Sequence, residues 1–328
     1  LSAGMMMPVI DGIAWSDSPL TEKAGWLASA RIVTSLMEGL LGRPAETAHW
    51  VPEEHREDLE AVSSEASSLG ASMAGAEGLA GPSAACRKIA ATCDSLLAAS
   101  TDENSIFLEA EGGRPRIRAV PLDPGRLIES EVFSRFRVVI ATSATLSVGG
   151  SFDYMASRLG LGERDGECDF GSPFDYADQA VITCPPGLPH PDEHGALAGE
   201  AWRWGSDLAS ILGGRTMLLF TSNRNLHLAA SAARGSLPPG VRMLVQGEAS
   251  RRAILESFRS DPGAVIFGTS SFWEGIDLPG DMLQAVVIDR LPFPSPGHPW
   301  TASRMKAMEE DGGSSFMGLM LPSAVIRL

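Results

Sequence analysis

Three stretches of this sequence place hydroxyl, amide and carboxylate residues directly after apolar runs. The first is Val139-Ile140-Ala141-Thr142-Ser143-Ala144-Thr145-Leu146, and the second is Leu219-Phe220-Thr221-Ser222-Asn223-Arg224-Asn225-Leu226. The third begins at Val245-Gln246-Gly247-Glu248 and resumes, after a helical segment, with Gly268-Thr269-Ser270-Ser271-Phe272-Trp273-Glu274-Gly275-Ile276-Asp277-Leu278-Pro279-Gly280. Ligand sites of open α/β sheets form outside the carboxyl ends of strands, so hydroxyls at such ends are placed to meet phosphate oxygens. Thr142, Ser143 and Thr145 read equally as a capped turn. Ser222 reads most simply as a helix N-cap, and a helix N-terminus is also an anion site. The third stretch is the most specific, because two carboxylates, an aromatic and glycines share one loop. Glu274 and Asp277 suit a ribose, an arginine or bound magnesium, and Thr269 and Ser270 suit phosphates.

The elements that must position these residues follow from periodicity. Residues 1–105 are rich in Ala, Ser and Glu, with helical stretches at 54–69 and 84–99 interrupted by Gly70, Gly75, Gly78 and Gly81-Pro82. Strand-like runs follow at 106–111, 116–120 and 137–142, the last almost wholly apolar, as for a strand covered on both faces. After residue 150, strands at 180–184, 216–220, 242–246, 264–268 and 285–289 alternate with helices at 200–212, 223–236 and 250–260. That alternation predicts an α/β fold with a parallel sheet and helices on both faces.

Composition narrows the class. The chain has 328 residues, 44% of them hydrophobic, which suffices for two domains. Apolar runs such as Met217-Leu218-Leu219-Phe220 are far shorter than the ~20 residues that span a bilayer. No secretory leader is visible, and four scattered cysteines form no disulfide framework, so a cytoplasmic setting is expected. The Leu1 start and the abrupt stop at Leu328 lead to the expectation of a longer parent protein. The net charge of −15 divides as −9 over residues 1–105, +1 over 106–150 and −7 over 151–328. It disfavours a broad basic nucleic-acid face but excludes no local groove.

Other candidate residues carry less. Asp192-Glu193-His194 sits in a proline-rich loop, residues 185–195, and reads as solvated. Cys86 and Cys93 share one helical face at i, i+7, whereas Cys168 and Cys184 fall in the later region, so all four read as ordinary thiols. The histidines show no metal-ligand spacing.

Residues 141–146, 219–226, 246–248 and 271–280, followed by Val287-Ile288-Asp289-Arg290-Leu291-Pro292-Phe293, resemble in order the later motifs of the DinG/XPD branch of superfamily 2 helicases. The resemblance covers residues 106–328 and implies an ATP-dependent DNA helicase moving 5′ to 3′ in DNA repair or replication. It implies three regions: residues 1–105 as the remainder of a helical arch domain, 106–150 as the last strands of the first RecA-like motor domain, and 151–328 as the second. Thr142, Ser143 and Thr145 then match the motif coupling nucleotide to DNA. Thr221, Ser222 and Asn223, with Thr269 and Ser270, match DNA-backbone contacts, and Glu274, Gly275 and Asp277 match the motif facing nucleotide and DNA together. The implied ligands are ATP, Mg²⁺ and single-stranded or forked DNA. Single-strand-binding or other replication and repair proteins are implied as partners, and the protein is expected to be monomeric. A [4Fe–4S] cluster, where the family has one, is expected upstream of this chain. A competing class is a non-catalytic nucleic-acid-binding module. A dinucleotide-binding enzyme is disfavoured because no G-x-G-x-x-G follows a strand.

The chain also departs from that pattern. It contains no G-K-[ST] and no D-E-A-H, and residues 321–328 resemble only the approach to the family's arginine motif. The charge clamp on which phosphoryl transfer depends is therefore incomplete here. The chain by itself is expected to show no DNA-stimulated ATPase activity in a phosphate-release assay with single-stranded DNA. Turnover near ~1 per second, typical of working enzymes, would show that these motifs were misread.

Overall fold

The computed structural model describes residues 1–42, 47–111 and 114–328. In chain order the elements begin with α1 (Met7–Trp15), α2 (Leu20–Leu41), β1 (Ala48–His49), α3 (Arg56–Ser72) and α4 (Ala80–Ala98). Next come β2 (Asn104–Glu111), β3 (Arg114–Pro121), α5 (Pro124–Glu131), α6 (Asp153–Leu159), α7 (Tyr176–Gln179) and α8 (His194–Leu212). The remainder are β4 (Thr216–Leu219), α9 (Asn223–Arg234), β5 (Arg242–Val245), α10 (Arg251–Ser260), β6 (Ala264–Gly268), β7 (Ala285–Ile288), α11 (Pro299–Glu310) and α12 (Leu321–Arg327). Two units divide the chain: Leu1–Asp165 with Pro294–Met320, and Gly166–Phe293 with Leu321–Leu328.

In the first unit, Leu59, Val62, Ala66 and Leu69 of α3 and Cys86, Ile89, Cys93 and Leu96 of α4 recur at three- and four-residue spacing. Each set is therefore one apolar stripe, and the stripes meet in a core shared with Met37, Leu41, Ile106 and Ile117. The Ser83 hydroxyl on α4 donates to the Gly70 carbonyl on α3 at 2.7 Å, tying the pair together. Gly81-Pro82 does not break α4, because Pro82 lies in its first turn, where an amide has no helical partner to lose. β2 and β3 form an antiparallel hairpin with Leu108 opposite Ile117, and β1 joins its outer edge. The Trp300 indole of α11 donates to the Pro121 carbonyl at 2.9 Å, fastening Pro294–Met320 to this unit.

The β2–β3 hairpin pairs with β1 of the helical region, and the two units divide at Asp165/Gly166. One expectation is corrected here. The run 137–142 forms no strand, and Val138 and Ile140 are 71% and 81% exposed. An apolar run becomes a strand only where a neighbour accepts its backbone hydrogen bonds, and among the described residues this run has none.

In the second unit β5, β6, β4 and β7 lie in that order, all parallel. Side chains alternate between faces as the two-residue period demands. Leu218 and Phe220 pack with Trp202 of α8 and with Leu226 and Ala230 of α9. Met217 and Leu219 face Ile254, Leu255 and Phe258 of α10 on the opposite side. The predicted α/β class, a RecA-like parallel sheet with helices on both faces, is borne out. The fifth strand expected at 180–184 is absent: Val181 and Ile182 are exposed and unpaired, for the reason that applies to 137–142.

Burial pushes the Cys86 and Cys93 thiols up to about 11, so neither is a thiolate at neutral pH. Cys168 and Cys184 are exposed. A disulfide reagent such as DTNB at pH ~8 is expected to modify two thiols rapidly, with Cys86 and Cys93 reacting only on unfolding. Rapid modification of all four thiols in the folded chain would contradict the packing of α4.

Candidate functional site

β4 and β6 are neighbours in the sheet, and their onward connections run over opposite faces, through α9 in one case and along the α10 side in the other. A crevice opens at the carboxyl ends of two strands so arranged. It is a cleft of about 600 Å³ lined by Phe220, Thr221, Ser222, Asn223, Thr269, Ser270, Trp273, Glu274, Pro292, Phe293 and Arg327. Five hydroxyl or amide residues expected as contacts therefore come together on two facing turns. Only Glu274 and Arg327 bring charge to the lining.

Each turn is held by a definite set of bonds. Ser222 is the N-cap of α9, its hydroxyl accepting from the Asn225 amide at 3.2 Å. The amides of Ser222 and Asn223 make no hydrogen bond within the described chain, as expected at a helix start. Across the cleft, the Gln246 carboxamide clamps Thr269. Its oxygen accepts from the Thr269 amide at 2.7 Å, and its nitrogen donates to the Thr269 hydroxyl at 2.8 Å.

Beyond Thr269 the loop is anchored by Phe272, which is 2% exposed. Gly268 is required there, since a Cβ at that position would lie 2.8 Å from the Phe272 ring. Trp273 is partly buried, packs against the same cluster as Phe272 and lines the cleft. Two arginines of α10 then hold the loop by its backbone. Arg251 donates to the carbonyls of Ser271, Glu274 and Gly275 at 2.8, 3.1 and 3.0 Å, and Arg259 donates to that of Asp277 at 3.0 Å. Gly275, at φ 67°, makes the sharp turn between them. The carboxylates of Glu274 and Asp277 are exposed, and among the described residues neither has a partner. Asp277 and Gly275 share the loop but do not line the cleft.

Thr142, Ser143 and Thr145 belong to the first unit, exposed on irregular backbone, with the Ser143 hydroxyl accepting from the Thr145 amide at 3.3 Å. They line no part of this cleft. Asp192 and Glu193 are exposed as expected, but His194 opens α8 and its Nδ1 lies 2.9 Å from the Asn225 Oδ1. Sequence reasoning missed that contact, the Arg251 and Arg259 clasp, and Asp289, whose side chain is wholly buried at the end of β7. The signal for Asp289 was present, since a carboxylate closing an apolar strand must find donors.

The sheet order and the cleft at the ends of its central strands define a RecA-like α/β domain. Residues 206–328 match the helicase C-terminal domain family. The ATP-dependent helicase DinG of Mycobacterium tuberculosis (strain ATCC 25177 / H37Ra) is 38% identical over 220 residues, 66% of this chain and 33% of the relative. The ATP-dependent DNA helicase YoaA of Escherichia coli (strain K12) is 38% identical over 192 residues, 58% of this chain and 29% of the relative. A Bacillus subtilis (strain 168) protein named 3′-5′ exonuclease DinG is 32% identical over 245 residues, 72% of this chain and 26% of the relative. A solved structure named XPD helicase matches the fold over 100% of this chain and 57% of its own, with a TM-score of 0.53 and 15% identity. Residues 206–328 thus carry the helicase C-terminal domain, and the C-terminal part of the chain is similar to the DinG and YoaA helicases. It spans about a third of the length of the curated relatives it matches.

Phe272→Ala is expected to destabilise the second unit by about 3–5 kcal/mol, the usual range for truncating a buried aromatic. Trp273→Ala should cost clearly less, because its ring is only partly covered. Urea unfolding followed by circular dichroism checks the order, and equal losses would show that Trp273 anchors the loop as strongly as Phe272.

Proposed function

We propose that the chain is part of an ATP-dependent DNA helicase, which couples ATP hydrolysis to 5′-to-3′ movement along single-stranded DNA in DNA repair or replication. The observation that carries this is the convergence of two hydroxyl-rich turns on one cleft at the ends of β4 and β6. Open amides at a helix N-terminus and neutral hydroxyls bind phosphate oxygens without reading bases, as a motor that moves along any sequence requires. Thr221, Ser222, Asn223, Thr269 and Ser270 hold the DNA backbone on this reading, with the Trp273 ring offering a surface on which a base can stack. Glu274, Gly275 and Asp277 face the nucleotide side, their carboxylates left unpaired because the clasp on the loop uses only its carbonyls. Thr142, Ser143 and Thr145 couple the two functions. Residues 1–105 are the remainder of an arch domain, 106–150 end the first motor domain, and 151–328 belong to the second.

ATP and Mg²⁺ complete the activity, but the residues of this chain do not by themselves fit them. The sequence has no G-K-[ST], and no three His, Cys, Asp or Glu side chains cluster as metal ligands among the described residues. No hydrolytic step is therefore assigned to these side chains. Support for a helicase over an exonuclease comes from the family match, which covers the second unit's sheet from β4 onward. No helix of the described residues is long and apolar enough to cross a membrane.

The full chain is expected to bind a fluorescein-labelled single-stranded oligonucleotide with little sequence preference. Its salt dependence should be shallow, with a logarithmic slope of about −0.7, because counterions are released only where a cation neutralises a phosphate and Arg327 is the one cation in the lining. The double variant Thr221→Ala/Thr269→Ala should weaken binding by about tenfold, two hydroxyl contacts at roughly 0.7 kcal/mol each. Fluorescence anisotropy measures all three, and undiminished binding in the double variant would place the DNA elsewhere.

A further inference from the structure

The turn that carries Thr221, Ser222 and Asn223 is supported from below by groups that do not themselves line the cleft. The Asp289 side chain is wholly buried, and its two oxygens accept from the Thr221 amide at 3.0 Å and from the Asn225 Nδ2 at 2.8 Å. Asn225 is itself fully buried. With its Nδ2 committed to the carboxylate, its Oδ1 faces the His194 Nδ1 at 2.9 Å, so that ring nitrogen must carry the proton. The Arg290 Nε stands 3.7 Å from Asp289, offering counter-charge without a hydrogen bond.

We infer that Asp289, Asn225 and His194 form a positioning relay that fixes the β4–α9 turn in its ligand-binding shape. The inference rests on the reading of the cleft as a site for the DNA backbone. Asp289 takes the Thr221 amide out of reach of any ligand, which leaves the Ser222 and Asn223 amides as the open donors. Asn225 holds the turn at two points, through its backbone to the Ser222 hydroxyl and through its side chain to Asp289. His194 completes the set by fixing which way the Asn225 amide faces. The relay therefore decides which backbone groups a phosphate can meet, although none of its three members touches the ligand.

The relay has a direction, and that makes it testable. Asp289→Ala removes both acceptors. Asp289→Asn can retain both bonds if its Oδ1 still accepts from the Thr221 amide while its Nδ2 donates to an Asn225 amide that has turned over, with the His194 proton moved to Nε2, so that the Asn225 and His194 pairs reverse and the Thr221 pair does not. The test uses the full chain, amide hydrogen exchange at Thr221, and anisotropy with a labelled thymidine oligonucleotide. Asp289→Ala is expected to lose exchange protection at Thr221 and to weaken binding by about tenfold, as for a broken buried network. Asp289→Asn should recover most of both losses. His194→Ala, at a partly exposed position, should weaken binding by roughly threefold and decides the matter if Asp289→Ala does not fold. Unchanged protection, or wild-type affinity in the variants that fold, would overturn the relay. If the wild-type chain binds no oligonucleotide, the reading of the cleft fails and takes the binding half of the inference with it. The exchange pattern then still shows whether the relay holds the turn.

Discussion

The parallel pairing of β4 with β6 is the constraint on which the site depends. Leu219 stands opposite Gly268, and the Phe220 amide donates to the Gly268 carbonyl at 2.8 Å. This register brings the two strand ends level, so the turn at Thr221 and the turn at Thr269 begin about one strand spacing, ~4.8 Å, apart. A slip of one residue would exchange the faces of β4 and drive Leu218 and Phe220 out of the core they share with α8 and α9. The core therefore fixes the register, and the register fixes the cleft.

Two kinds of carboxylate follow from that frame. Asp289 is buried and meets an amide, a carboxamide and a nearby guanidinium, which together offset its loss of water. Glu274 and Asp277 are exposed, remain hydrated and hold nothing in place. A buried, saturated carboxylate stabilises a shape, whereas an exposed and unpaired one is free to meet a group from outside.

The loop carrying those exposed carboxylates is ordered by its backbone. Arg251 and Arg259 bind four of its carbonyls, and Phe272 fills the space beneath that Gly268 leaves open. An arginine is suited to this task, because its planar fork reaches several acceptors at once and remains charged at any working pH. The cleft lining is otherwise nearly neutral, in a chain whose net charge is −15.

The sequence by itself determined the α/β class and the helices α3, α4, α8, α9 and α10, and the likeness of its motifs grouped Thr221, Ser222, Asn223, Thr269 and Ser270 as one set of candidates. These were legible because apolar periodicity, N-cap chemistry and loop composition are local properties. Only the tertiary structure decided that Phe272 fills the space beneath the loop, that Arg251 clasps it from 20 or more residues away, and that His194 reaches Asn225 across 31 residues. The same holds for the runs at 137–142 and 180–184, whose composition suggests strands that the described chain does not form. The physical reason is common to all of these. A side chain's type states which bonds it can make, but its partner is chosen by which distant backbone the packing of the sheet brings within about 3 Å.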